Sequence, residues 1–217
     1  MSIHTESGDH FLKLENRHTG EILRMRRVRG VGDHTVLILE GSLPPRMSGP
    51  PLHVHARLCE TIIVKAGSLG ARIGHEKFVV STGKTAAVPA GIRHTWWNAG
   101  DDLLEVSGRV IPAGDLDRFI QAMFAVLNSS ASGRPSIFYL AHALWRHRHT
   151  QTVALPPKAI QRIIFPFVLL LGNVLGKYRG TGWPGSPASC TGAPETDTNH
   201  SPATTPENQN AQVFCSS

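Results

Sequence analysis

Two short stretches of this 217-residue chain carry residue types that can do chemistry together. The first runs Gly49-Pro-Pro-Leu-His53-Val-His55-Ala-Arg-Leu-Cys-Glu60 and on to Gly67. Side chains alternate along a strand, so His53 and His55 project to one side and can chelate a metal ion. A turn or bulge between Ala56 and Cys59 would bring Glu60 to the same centre. Glu60, Ile62 and Val64 would then share one face of the next strand. Cys59 should point away and is read as structural. The second stretch, Gly83-Lys-Thr-Ala-Ala-Val-Pro89-Ala-Gly91-Ile-Arg-His94-Thr-Trp96-Trp97-Asn98, makes a sharp turn at Pro89 and Gly91. His94 follows it, with Trp96 and Asn98 on the same side of the departing strand. Imidazole suits Fe, Ni, Cu, Co or Zn, and a carboxylate widens the choice to Mn. No Ser-His-Asp set, phosphate-binding Gly loop or paired-carboxylate signature stands beside these stretches.

The elements that must position these residues are short strands. Alternating or β-branched runs at Phe11–Leu14, Ile22–Val28, Thr35–Leu39, Thr61–Val64, Ala71–Ile73, Phe78–Val80, Leu103–Val106 and Arg109–Ile111 are separated by Gly and Pro turns about ten residues apart, the pattern of a sandwich or barrel. Gly74-His75 reads as the turn of a hairpin. Arg24, Arg26, Arg72 and Arg109 are candidate polar anchors if their strands face inward. After Asp115, a candidate N-cap, the period changes. Leu116, Phe119, Ile120, Met123, Phe124 and Leu127 recur at helical spacing. Further helices are expected over Leu140–Trp145 and Lys158–Tyr178, the latter kinked at Pro166. The reading divides the chain into a barrel over 1–114, a helical extension over 115–179 and a disordered polar tail over 180–217.

The order H-x-H-x4-E-x6-G, then G-x5-P-x-G-x2-H-x3-N, resembles the two motifs of the cupin superfamily. His53, His55, Glu60 and Gly67 match the first, and Gly83, Pro89, Gly91, His94 and Asn98 the second. Gly49 stands closer to His53 than the family's leading Gly usually does. The resemblance implies a mainly β protein, a jelly-roll β-barrel holding one divalent metal through His53, His55, Glu60 and His94, with Fe or Mn favoured. Trp96, Ile62, Val64 and Val88 would line an apolar substrate pocket, and Glu60 would be the catalytic carboxylate that accepts the substrate's proton. Single-domain cupins similar to this one include dioxygenases of flavonol-type substrates and tailoring enzymes of polyketide pathways. The expected function is therefore a metal-dependent oxidoreductase, dioxygenase-like, acting on a small apolar or aromatic metabolite of secondary metabolism. A non-redox isomerase or cyclase, and a small-molecule binder without turnover, are the alternatives. A homodimer is expected, because cupins of this size usually pair and the N-terminal segment from Phe11 to Val28 can extend a neighbour's sheet.

Composition narrows the setting. With 41% apolar and 18% charged residues the chain can bury a core. Three cysteines, an odd number, build no disulfide framework, and MSIHTESGDH has no apolar signal-type stretch, so a cytoplasmic location is expected. The net charge of +6 is concentrated: residues 121–180 hold seven basic side chains and no acidic one. A nucleic-acid-binding face would be distributed differently, and none is expected. His142, His147 and His149 lie among those basic residues and are read as surface. The most apolar run, Ile163 to Leu175, spans 13 residues. As a helix it would reach about 20 Å, short of the ~30 Å core of a bilayer. It is expected to pack on the barrel as a lid or clamp, or else to make weak contact with a membrane surface through 158–179.

Overall fold

The computed structural model describes residues 11–30, 34–180 and 183–184. Among these described residues eleven strands and three helices follow in order: β1 Leu12–Asn16, β2 Glu21–Arg29, β3 Thr35–Leu43, β4 His53–His55, β5 Cys59–Ala66, β6 Ser68–Ile73, β7 Glu76–Ser81, β8 Thr85–Val88, β9 His94–Asn98, β10 Leu104–Ile111, α1 Leu116–Asn128, α2 Ile137–Arg146, β11 Gln151–Val153 and α3 Lys158–Val174. A six-stranded antiparallel sheet runs β1-β2-β3-β10-β5-β8 and a five-stranded one β11-β4-β9-β6-β7. The chain is mainly β, and its two sheets enclose the core in the jelly-roll manner.

Between the sheets, Leu43, Ile62, Val64, Leu69, Val80, Ala86 and Leu104 form one apolar cluster. A second cluster joins Met25, Leu37, Leu58 and Val110 to Leu116, Phe119 and Leu144 of the helices. The helices therefore share the barrel's core. Arg27 fastens α1 to β2: its Nε donates to Asp117 Oδ2 at 2.8 Å and its Nη2 to the Gly114 carbonyl at 2.7 Å.

Several sequence expectations change. Gly41 does not stop β3, and Gly108 does not divide β10, because both stay extended within paired strands. The helical extension contains a strand: β11 pairs with β4, placing Gln151 opposite His55 and Val153 opposite His53. Three residues carry too little periodicity to be read as a strand from sequence. α3 ends at Val174 and not at Tyr178, and the chain turns through Gly176 at φ 69°. Asp115 stands at the α1 N-cap without capping it. Its carboxylate accepts hydrogen bonds from His147 Nδ1 at 2.6 Å and from the Thr150 hydroxyl. His147 is consequently buried, not a surface residue, while His149 is exposed and His142 half-buried. The expectation for 180–217 falls outside the described residues except at 180 and 183–184. There Trp183 packs on His142, ring centroids 4.6 Å apart, and on Tyr178 at 5.3 Å.

Candidate metal centre and cavity

His53 and His55 occupy the two ends of β4 and are 4% and 3% exposed. A tight turn through Ala56, Arg57 and Leu58 leads into β5, whose second residue is Glu60. His94 opens β9, stands opposite His53 in the pairing of β9 with β4, and is 1% exposed. The turn before it is tied to the ligand strand, since the Gly91 N–H donates to the His55 carbonyl at 2.8 Å. One donor atom from each of His53, His55, Glu60 and His94 lies within 4.8 Å of the others. His94 Nε2 is 3.1 Å and His55 Nε2 3.5 Å from Glu60 Oε2.

The surrounding backbone sets the ring orientations. His53 Nδ1 faces the Pro51 carbonyl at 2.8 Å and His94 Nδ1 the Ile92 carbonyl at 3.0 Å. Donation to these carbonyls fixes the proton on Nδ1 and leaves Nε2 with a lone pair for the cluster. His94 then has an acceptor before each nitrogen. A neutral imidazole has one N–H, so it satisfies the carbonyl or Glu60 but not both. A cation between Nε2 and Glu60 Oε2 removes that conflict, and three imidazoles with one carboxylate form a donor set for a divalent transition metal. The residues present fit such an ion. His55 lacks a carbonyl anchor: among the described residues its buried Nδ1 has no hydrogen-bond partner. Its ring is held against His53 and His94, with centroids 4.8 and 5.0 Å away.

The electrostatics agree with this donor set. Burial pushes His53 down to about 3, with the neighbouring His94 and His55 adding to the shift, so its ring is neutral at physiological pH. Burial alone would raise Glu60, but the neighbouring His55 and His94 outweigh it and hold the carboxyl well below the usual carboxylate range. The cluster thus offers an ionised carboxylate.

Glu60 also belongs to the wall of a small cavity between the sheets, about 40 Å³ in volume and partly open to solvent. Its lining is apolar, including Ile22, Leu23, Leu39, Ile62, Trp96 and Val106. The room comes from Gly41 and Gly108, which lie on adjacent strands and contribute no side chain. Of the expected pocket residues, Ile62 and Trp96 line the cavity. Val64 and Val88 do not; both are buried in the core, Val64 with no exposed surface. Arg24, Arg26, Arg72 and Arg109 are not among the lining residues, and Arg72 and Arg109 are exposed. Cys59 is half-buried with a free thiol and lies outside the donor cluster.

Glu21 was not anticipated. It begins β2, on the face that carries Leu23 and Met25, and it lines the same cavity as Glu60. Among the described residues nothing hydrogen-bonds or ion-pairs with its carboxyl, and burial pushes it up to about 7. The alternation Glu21-Leu23-Met25 was available in the sequence, but Ile22 and Arg24 between them masked it. Gln151 was missed with β11 itself. It is 8% exposed and is the cross-strand neighbour of the unanchored His55.

The other motif residues are architectural. Asn98 Nδ2 donates to the Leu43, Pro44 and Asp102 carbonyls at 2.9, 3.0 and 2.8 Å, and its Oδ1 accepts from the Gly100 N–H at 2.9 Å. It locks the end of β9 to both neighbouring loops. Gly67 adopts φ 79°, and a Cβ there would lie 2.7 Å from the Leu103 carbonyl oxygen. Gly49 lies against Trp96, where a Cβ would meet the Trp96 carbonyl oxygen at 2.7 Å.

A family model described as "Cupin domain" matches residues 39–107, which contain all four candidate ligands. A Hypocrea virens protein named "Probable oxidoreductase virH" is 31% identical over 93 residues, which are 42% of this chain and 42% of that protein. The chain thus spans less than half the length of this curated relative. Among solved structures, KdgF from a Halomonas species is 17% identical, with 51% of this chain and 99% of that one covered at a TM-score of 0.41. A predicted oxalate decarboxylase from Thermotoga maritima is 19% identical, with 52% and 99% covered at a TM-score of 0.39. Motif spacing, sheet order, the convergence of His53, His55, Glu60 and His94 and the family match agree on a cupin domain over residues 39–107.

Proposed function

We propose that the chain is a metal-dependent oxidoreductase acting on a small apolar or aromatic molecule that carries an ionisable oxygen, such as a phenol or enol. One observation carries this reading: Glu60 belongs both to the three-histidine cluster and to the wall of the apolar cavity. A molecule in that cavity is therefore delivered to the candidate metal. A divalent ion held there would supply Lewis acidity and, if redox-active, one-electron chemistry. Iron or manganese with dioxygen as oxidant is the form proposed. The relative named as an oxidoreductase supports the class of reaction.

The side chains divide the remaining work. Ile62, Trp96 and Val106 exclude water and give the substrate an apolar bed. Glu60, ionised, is the acceptor for a proton leaving the substrate oxygen. Burial raises the Glu21 carboxyl to about 7, so near neutral pH part of the protein carries its proton and in that form can donate a hydrogen bond to a second polar group of the substrate. The buried histidines retain their orientation through the Pro51 and Ile92 carbonyls.

The test combines metal analysis of the purified chain with oxygen uptake over a panel of phenols and enols, using His94→Ala as control. Bound metal with uptake that the variant loses supports the proposal. Bound metal with product but no uptake replaces it by a non-redox isomerase or cyclase. Saturable binding without product replaces it by a binder. Failure to take up any divalent metal after supplementation refutes all metal-dependent forms.

A further inference from the structure

The outer face of α3 points to a use outside the barrel. Ile163, Phe167, Leu170 and Val174 are 74, 64, 63 and 70% exposed, and Ile164 and Leu171 beside them 42 and 41%. At about 100° per residue these six fall within an arc of roughly 120°, the apolar face of an amphipathic helix turned outward. The opposite side is already used. Gln161 and Gly172 are buried, and Phe165 packs on the core cluster shared by barrel and helices. Gln161 Nε2 donates to the Val153 carbonyl at 2.9 Å, fastening α3 beside β11. No α3 residue lines the cavity, so the helix does not act as its lid.

Charge selects the occupant of the exposed face. Lys158, Arg162, Lys177 and Arg179 lie on or beside α3 and are exposed, and no acidic residue occurs from 121 to 180. A second copy of the same helix would bring only positive charges against positive charges. Residues 185–217 contain just two large apolar side chains, Val213 and Phe214, too few to cover six. An anionic lipid surface satisfies both features, taking the apolar stripe among its acyl chains and the basic side chains at its headgroups. No described helix is long and apolar enough to cross a membrane. The 17 residues of α3 make a rod of about 25 Å, suited to lying in the plane of the interface.

We propose that α3 docks the protein onto anionic membranes, with Ile163, Phe167, Leu170 and Val174 inserted and the flanking basic residues at the headgroup level. This inference is independent of the chemistry assigned to the cavity. Its test is flotation of the full chain with phosphatidylcholine vesicles, with and without phosphatidylserine. Binding to the anionic vesicles alone, weakened by salt, is expected. Phe167→Ser and Leu170→Ser should each weaken it roughly tenfold, since each removes a large side chain from the buried set. Lys158→Glu with Arg162→Glu should abolish the preference for anionic lipid. Because these positions are exposed, unchanged melting and metal content serve as the folding control. Absence of binding to either vesicle overturns the proposal. So does equal binding by the serine variants, or a dimer in solution that dissociates on Phe167→Ser.

Discussion

Replacing Glu21 by Gln removes a titratable group from an apolar cavity while keeping its size. Burial raises the Glu21 carboxyl from an ordinary 4.5 to about 7. The folded state therefore keeps this proton at pH values where the unfolded chain has lost it. Between about 4.5 and 7, unfolding releases a proton, so this group makes the protein less stable as pH rises. Above about 7 the deficit is complete; below about 4.5 both states are protonated and it disappears. A shift of that size corresponds to about 3 kcal/mol. The Glu21→Gln protein lacks this deficit. Any cost of burying the amide is independent of pH and cancels when two pH values are compared. The measurement is the urea midpoint of chelator-treated wild type and variant from pH 4 to pH 8. The variant should gain about 3 kcal/mol relative to wild type across that range, or roughly 6–12 °C in melting temperature for a chain of this size. A stability difference that stays constant with pH would refute the placement of Glu21 in an apolar, partnerless setting. One that closes as pH rises would mean that a cation pairs with its carboxylate.

Three further outcomes follow from the geometry. His94→Ala should lower metal affinity by tenfold or more, measured by competition with a chelator of known affinity, because His94 and Glu60 hold the centre between them. Gly41→Leu should abolish binding of phenolic ligands while leaving metal content intact, read by titration calorimetry and elemental analysis, since the new side chain grows into the cavity and not into the histidine cluster. A chain ending at Pro184 should melt with the full-length protein, whereas one ending at Arg179 should lose about 1–2 kcal/mol through the missing Trp183 contacts with His142 and Tyr178.

What was legible in the sequence was whatever a short local pattern dictates. His53-Val-His55 must present two imidazoles to one side, and the Pro89-Ala-Gly91 turn must launch His94 into a new strand. Those constraints act over a few residues, so the donor set was readable. Long-range pairing was not. Nothing local in Gln151-Thr-Val153 requires a strand; the unpaired edge of β4 does. The burial of His147 likewise depends on Asp115, 32 residues away, whose carboxylate it meets across the α1–α2 layer. Gly41 and Gly108 read as breaks because glycine often ends strands. Here each remains extended, and the missing side chains open the cavity. The same residues thus carry opposite meanings depending on which strand lies beside them.

The C-terminal segment is best understood from the strand it covers. β4 has only three residues, yet it supplies two of the four candidate ligands. On one side it meets β9 in a single registered pair, His53 with His94. On the other side β11 pairs with all three of its residues. A strand this short would have little to hold its backbone if β11 were absent. β11 is in turn held at both ends. The His147 carbonyl accepts the Thr150 and Gln151 N–H groups at 3.0 Å each, and Gln161 of α3 donates to the Val153 carbonyl. The chain from α2 through α3 is therefore part of the scaffold of the metal centre. An α3 that also contacts a lipid surface would sit two links from His53, the Gln161 side-chain hydrogen bond to Val153 and the strand pairing of Val153 with His53. Orientation on a membrane and orientation of the ligand strand are then set by the same short segment of chain.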